Sequence, residues 1–200
     1  MGIKERKSRQ KAELRQKILD AAVSIINSNG AETLTMRGIA RKIEYSPRTV
    51  YLYFANKDAL MQALIEYGFG RSLSLYPGLD SDNPVAIRHH IGQQLRQNIQ
   101  MALDNKPYYQ AVTSLILSRG YPPGPNQKQL MAYVAYDFEK YYKCLNREVA
   151  DVKERIFLLF AMLRGFNLSL INHEQEYAPT EKQALIDRFI TSVFQGVLDS

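Results

Sequence analysis

Residues 35–57 read TMRGIARKIEYSPRTVYLYFANK, and this stretch leaves the chain few ways to fold. Met36, Ile39, Ala40 and Ile43 recur at helical spacing, which predicts a short helix over 36–43. Thr35 stands just before it, where a hydroxyl can accept from a free backbone N–H. Ser46 followed by Pro47 predicts a second start: a capping hydroxyl, then a proline whose missing N–H costs nothing at the first helical position. In a helix over 47–53, Val50 and the following Phe54 lie four apart and face inward, leaving Arg48, Thr49, Tyr51 and Tyr53 for the other faces. A short polar helix is poor material for a core and fits a DNA major groove.

The charge distribution agrees. The 200 residues hold 26 Lys and Arg against 20 Asp and Glu, a net +6. Residues 1–57 contain 12 of the basic side chains and 5 of the acidic ones, so the excess positive charge sits entirely on the segment with the two short helices. That is the footprint of a polyanion-binding module joined to a nearly neutral one. Residues 1–9, MGIKERKSR, lack apolar periodicity and are expected to form a mobile basic arm whose Lys4, Arg6, Lys7 and Arg9 reach phosphates or a minor groove.

Thr35, Ile39, Ala40 and Ser46, and above all Tyr51, Leu52, Tyr53 and Phe54 followed by Lys57, Asp58, Ala59 and Leu60, resemble the helix-turn-helix of the tetracycline-repressor (TetR) family of bacterial transcription regulators. The resemblance covers roughly the first third of the chain. It implies an all-α protein with an N-terminal three-helix DNA-binding domain, 1–55, and a helical ligand-binding and dimerisation domain, 56–200. It also implies phosphate contacts from Tyr51, Tyr53 and Lys57, groups that carry little sequence information. Thr35 joins them as a helix N-terminus, and Ser46, Pro47, Arg48 and Thr49 complete the expected DNA-binding set. Two positions depart from the family pattern. Glu44 occupies a turn that often holds glycine, which predicts either a costly left-handed residue or a differently built turn. Pro47-Arg48 replaces a frequent Lys-Gly pair, which makes Arg48 a base reader, because its fork matches guanine O6 and N7.

The remaining helices follow from stripes and breakers. Helix 1 is expected from about Arg9 to Asn27, closed by Asn29-Gly30. Helix 4 starts at Asn56 and ends at Tyr76-Pro77-Gly78, with Gly68 and Gly70 loosening its second half. Further helices are expected over Pro84–Asn105, Pro107–Ser118, Asn126–Asn146 and Ala150–His173, and a last one is expected from Thr180, where Gln183 completes a capping box. The last two are apolar over too wide an arc for one-sided packing. A two-fold four-helix bundle would cover them through Phe157, Phe160, Arg164, Leu168, Ile186, Phe189, Ile190, Val193 and Phe194. The resulting homodimer would carry the twin heads that a palindromic operator requires.

No Gly-rich phosphate loop, H-E-x-x-H or C-x-x-C occurs, so no enzyme, metal or cofactor is expected. His89 and His90 are adjacent and point to different helix faces. The single Cys144 excludes an internal disulfide. Residues 1–13 are polar, without a leader's apolar centre, and Ile156–Leu163 is broken by Arg164, so a soluble cytoplasmic protein with no membrane partner is expected. The tyrosine-rich C-terminal half suits an apolar or aromatic effector, with Met101, Tyr108, Tyr109, Met131, Tyr133, Tyr136, Met162 and Phe166 as the expected pocket. The expected function is therefore a ligand-responsive homodimeric repressor binding double-stranded DNA. The alternative is an effector-independent or architectural DNA binder using the same head.

Overall fold

The computed structural model describes residues 2–76, 78, 79, 81–147 and 151–199. Met1, Pro77, Ala150 and Ser200, to which some of the expectations extend, lie outside them. The described residues are helical throughout: α1 Ile3–Asn29, α2 Met36–Ile43, α3 Pro47–Tyr53, α4 Lys57–Ser74, α5 Pro84–Asp104, α6 Lys106–Arg119, α7 Pro125–Cys144, α8 Val152–His173 and α9 Pro179–Val193. Five further residues, Phe194–Leu198, continue α9 as a wider π-helical turn.

The N-terminal arm is not separate from α1. Its residues form the first turns of a continuous helix, which Gly2 N–H starts by donating to Glu5 (2.9 Å) and Arg9 supports by pairing with Glu13 (3.2 Å). Lys, Arg, Gln and Glu are good helix formers and need no apolar stripe to propagate a helix already started, which is why periodicity alone begins α1 too late. Gly30 ends it at φ 86°, a conformation that favours glycine, and donates to Ile26 O at 2.9 Å.

The chain packs as two units, Met1–Gly68 with Asn105–Pro122, and Phe69–Asp104 with Pro123–Ser200. In the first unit Ile18, Leu19, Ala22 and Ile26 of α1 meet Leu34, Ile39, Val50, Phe54, Leu60 and Leu64, all buried. Each such aliphatic side chain contributes about 1.5–3 kcal/mol on burial. Helix α6 belongs to this unit because Tyr108 is part of the same core and its hydroxyl donates to Leu64 O at 2.5 Å. Asn27 fastens the start of α6, donating to Asn105 Oδ1 (3.0 Å) and accepting from Tyr108 N–H (3.1 Å). Gly68 is required by this packing: a Cβ there would stand 2.8 Å from the Tyr108 hydroxyl.

In the second unit α5, α7, α8 and α9 enclose Ile87, Ile91, Leu95, Phe138, Tyr141, Tyr142, Leu159, Leu163, Ile190 and Val193. Arg88 closes one edge, pairing with Asp199 (2.7 Å) and lying 4.2 Å from the centre of the Phe194 ring. Helix α9 starts at Pro179, one residue before Thr180, and Glu181 rather than Gln183 reaches back, accepting from Ala178 N–H at 2.8 Å. Among the described residues, Val152–Glu176 is long and apolar enough to cross a membrane by length and composition (mean hydropathy 1.3). Its stripe Ile156, Leu159, Leu163, Asn167 and Leu170 is buried against the other helices of the unit.

Candidate nucleic-acid interface and ligand cavity

Helices α2 and α3 are built by their caps. Thr35 Oγ1 accepts from Gly38 N–H at 2.9 Å, and Ser46 Oγ accepts from Thr49 N–H at 3.2 Å. The turn between them is sharp because Glu44 adopts the left-handed conformation (φ 62°, ψ 40°), which lets Tyr45 N–H reach Ala40 O at 2.9 Å. Neither Arg41 nor Arg48 ion-pairs with the Glu44 carboxylate among the described residues.

Helix α3 is held by Val50, fully buried, and by Phe54 just beyond its end. Arg48, Tyr51 and Leu52 are left exposed, Tyr51 at 51% and Leu52 at 75%, while Tyr53 is half-buried against the core of the unit. Leu52 was not among the residues expected from sequence. It is the most exposed large apolar side chain among the described residues. Its only sequence signal was its position two residues from the inward Val50. Lys57 is exposed at the start of α4, which Asn56 caps by accepting from Ala59 N–H at 2.8 Å. Lys7, Lys11 and Lys17 of α1 line an open depression with Tyr45 and Tyr53, and Lys17 Nζ lies 5.5 Å from the centre of the Tyr45 ring. Exposed Arg37, Arg41 and Lys42 on α2 add to the positive surface.

The second unit contains a cavity of about 60 Å³, lined by apolar side chains such as Ile91, Leu95, Leu130, Phe138, Leu159 and Leu163. Its polar lining comes from Ser72, Tyr76, Gln94, Gln97, Asn98 and Asp137. Of the eight residues expected to form a pocket, Met101 lines it. Tyr108 and Tyr109 belong to the first unit. Tyr133 stacks on Tyr76 with centroids 5.6 Å apart, and Tyr136 is exposed with Lys140 Nζ 5.8 Å from its ring centre. Met131 is half-buried, Met162 is exposed, and Phe166 stacks on Phe189 at 4.0 Å. A count of tyrosines per helix carries no information on which face each occupies, so only Met101 of that set meets this cavity.

Asp137, only 3% exposed, is the acid that the sequence reading missed. The Tyr76 hydroxyl donates to its Oδ2, and His90 Nε2 lies 3.4 Å from the same atom. Burial pushes the Asp137 carboxyl above the usual carboxylate range, against the smaller opposing effects of Tyr76, His90 and Lys140. Burial and the Asp137 contact likewise raise the Tyr76 phenol.

Residues 18–64 match the model of the bacterial regulatory proteins of the tetR family. This stretch is similar to the N-terminal domain of that family. The nicotine-responsive transcriptional repressor HdnoR of Paenarthrobacter nicotinovorans is 43% identical over 49 residues, 24% of this chain and 25% of that protein. The transcriptional regulator UidR of Escherichia coli K12 is 37% identical over 62 residues, 31% of this chain and 32% of that protein. The matches thus span about a quarter to a third of these regulators. Among solved structures, BioQ with its double-stranded DNA operator superposes with a TM-score of 0.59 at 20% identity, covering 88% of this chain and 98% of that one. FadR of Bacillus subtilis, in complex with stearoyl-CoA, gives 0.64 at 15% identity, covering 91% and 98%. At such identities the likeness is one of fold: a TetR-type helix-turn-helix domain followed by a helical C-terminal domain.

Within this TetR-type fold the residues expected at a dimer interface differ widely in exposure. Ile186, Ile190, Val193 and Phe194 are buried within the protomer, because α5 takes up that stripe of α9: a Cβ at Gly92 would stand 3.6 Å from the Phe194 ring. Phe160 lines the cavity, and Phe189 is used by Phe166. Arg164 and Leu168 are half-buried. Phe157, 71% exposed, stays outside and is joined by the exposed Leu158, Ala161 and Met162 on the same face of α8.

Proposed function

We propose that this chain is a ligand-responsive homodimeric transcriptional repressor that binds a palindromic operator through α3. The observation that carries the reading is the construction of α3: one buried anchor, a capped N-terminus, and Arg48, Tyr51 and Leu52 presented outward on a positive surface. Arg48 and Leu52 would meet base edges, with Thr49 beside them. Tyr51, Tyr53, Lys57, Thr35 and the N-terminal turns around Ser46 and Pro47 would meet phosphates. HdnoR is named as a repressor responsive to a small molecule, and BioQ was solved on its operator; both favour this reading over a purely architectural one. The apolar walls of the C-terminal cavity suit an apolar or aromatic effector. Binding there releases DNA to the extent that the effector prefers the conformation with the poorer operator fit. The site of action is the cytoplasm, where the operator is.

The test is selection of random duplexes by the purified full chain at ~0.15 M salt, where non-specific attraction is reduced. An enriched palindrome is expected. Binding without sequence preference would replace this reading with an electrostatic clamp on DNA.

A further inference from the structure

A buried carboxylate in an apolar cavity has to be explained by what neutralises it. Asp137 on α7 is 3% exposed and lines the cavity. Both of its close partners use Oδ2: the Tyr76 hydroxyl and, at 3.4 Å, His90 Nε2. Oδ1 accepts no hydrogen bond from any described residue. No lysine or arginine ion-pairs with Asp137 among the described residues, and Lys140, whose charge lowers the Asp137 pKa, pairs with Asp82 (3.5 Å). His90 Nε2 is itself buried without a hydrogen-bond partner. Tyr76 stands between His90 (5.3 Å, edge-on) and Tyr133 (5.6 Å, stacked), so aromatic rings flank the acid. Tyrosine faces attract cations, and a desolvated carboxylate attracts them more strongly.

We infer that the effector of this protein carries a protonated amine, which donates to Asp137 Oδ1 while its hydrocarbon body lies among Ile91, Leu95, Phe138 and Leu163. This rests on the proposed regulator function and names the class of its ligand. Gln94, Gln97 and Asn98 on the α5 side of the cavity supply neutral polar contacts and no competing positive charge. Among the described residues no lysine or arginine lines the cavity, so an anionic headgroup has no partner among them. A cavity of about 60 Å³ holds a few waters, so it admits a short body and must widen for a longer one.

The experiment is calorimetric titration of the full chain, without DNA, with three probes of one shape: phenethylamine, 2-phenylethanol and 3-phenylpropionate. The amine is expected to bind at least ~tenfold more tightly than the other two, as a charge-assisted hydrogen bond in a dry site should allow. Asp137→Asn is expected to abolish that preference, with circular dichroism confirming that the variant is folded. Tyr76→Phe, which removes a donor from Asp137 and keeps the ring, is expected to retain or strengthen it. Equal or tighter binding of the alcohol or the acid would overturn the inference. So would no saturable binding of phenethylamine at millimolar concentration, or a preference that survives Asp137→Asn. If Asp137→Asn does not fold, the wild-type series and Tyr76→Phe decide. Because DNA is absent, a failure here leaves operator binding standing, and a failure of the duplex selection leaves this result readable.

Discussion

Glu44 holds a left-handed conformation that costs an ordinary side chain roughly 1 kcal/mol or more. Glu44→Gly is therefore expected to raise the stability of the folded chain by about 1 kcal/mol, read from urea denaturation. It should also tighten DNA binding at low salt, because an unpaired negative charge leaves the positive face. Asp137 acts through pH. Its folded pKa is raised, so between the unfolded and folded values the native chain holds a proton that the unfolded chain has released. Stability from this group is therefore present in acid and is lost as pH rises through that window. Tyr76, His90 and Lys140 face the same carboxylate and moderate the effect. Asp137→Asn keeps an acceptor for Tyr76 and cannot ionise. It is expected to melt higher than the parent near about pH 7, with the difference shrinking toward about pH 4. Glu44 could be marked from sequence alone, since a turn there demands a left-handed residue. Asp137 could not, because an acid one position from Tyr136 looks solvated until Tyr76 and His90 close over it.

At the scale of elements, α2 and α3 were legible because their ends are written locally, in Thr35, Ser46 and Pro47. Ser46→Ala is expected to destabilise the first unit by about 1 kcal/mol in thermal melts and, by fraying α3, to weaken DNA binding as well. Arg48→Ala is expected to leave the melt unchanged and to relax base preference at one operator position, about 1–3 kcal/mol in competition binding. Helices held by distant contacts were less legible. The place of α6 in the first unit depends on Tyr108 reaching Leu64 O, a pairing across 44 residues that periodicity does not encode. It also separates two helical glycines that look alike in sequence. Gly92→Ala meets ordinary contact distances and is expected to raise the melting temperature. Gly68→Ala crowds the Tyr108 hydroxyl and is expected to lower it.

At the scale of the molecule, the excess apolar arc of the last two helices was visible in the sequence, but not its division. Helix α5 uses most of α9, and what stays uncovered lies on α8 at Phe157, Leu158, Ala161 and Met162. Under the proposed homodimer, this patch would meet the second copy. Phe157→Asp, at a position 71% exposed, is expected to leave the fold intact and to shift sedimentation from dimer toward monomer. Operator affinity should fall with it, since one head makes half the contacts.

The same uncovered face sets how the protein would respond to its own abundance. If two copies must meet on α8 before either head is useful, the active species grows with the square of the free-chain concentration wherever dimers are scarce. A halving of expression would then cost about three-quarters of the operator-competent protein. The regulated promoter would open over a narrow range of copy number, a steepness set by α8 and not by α3.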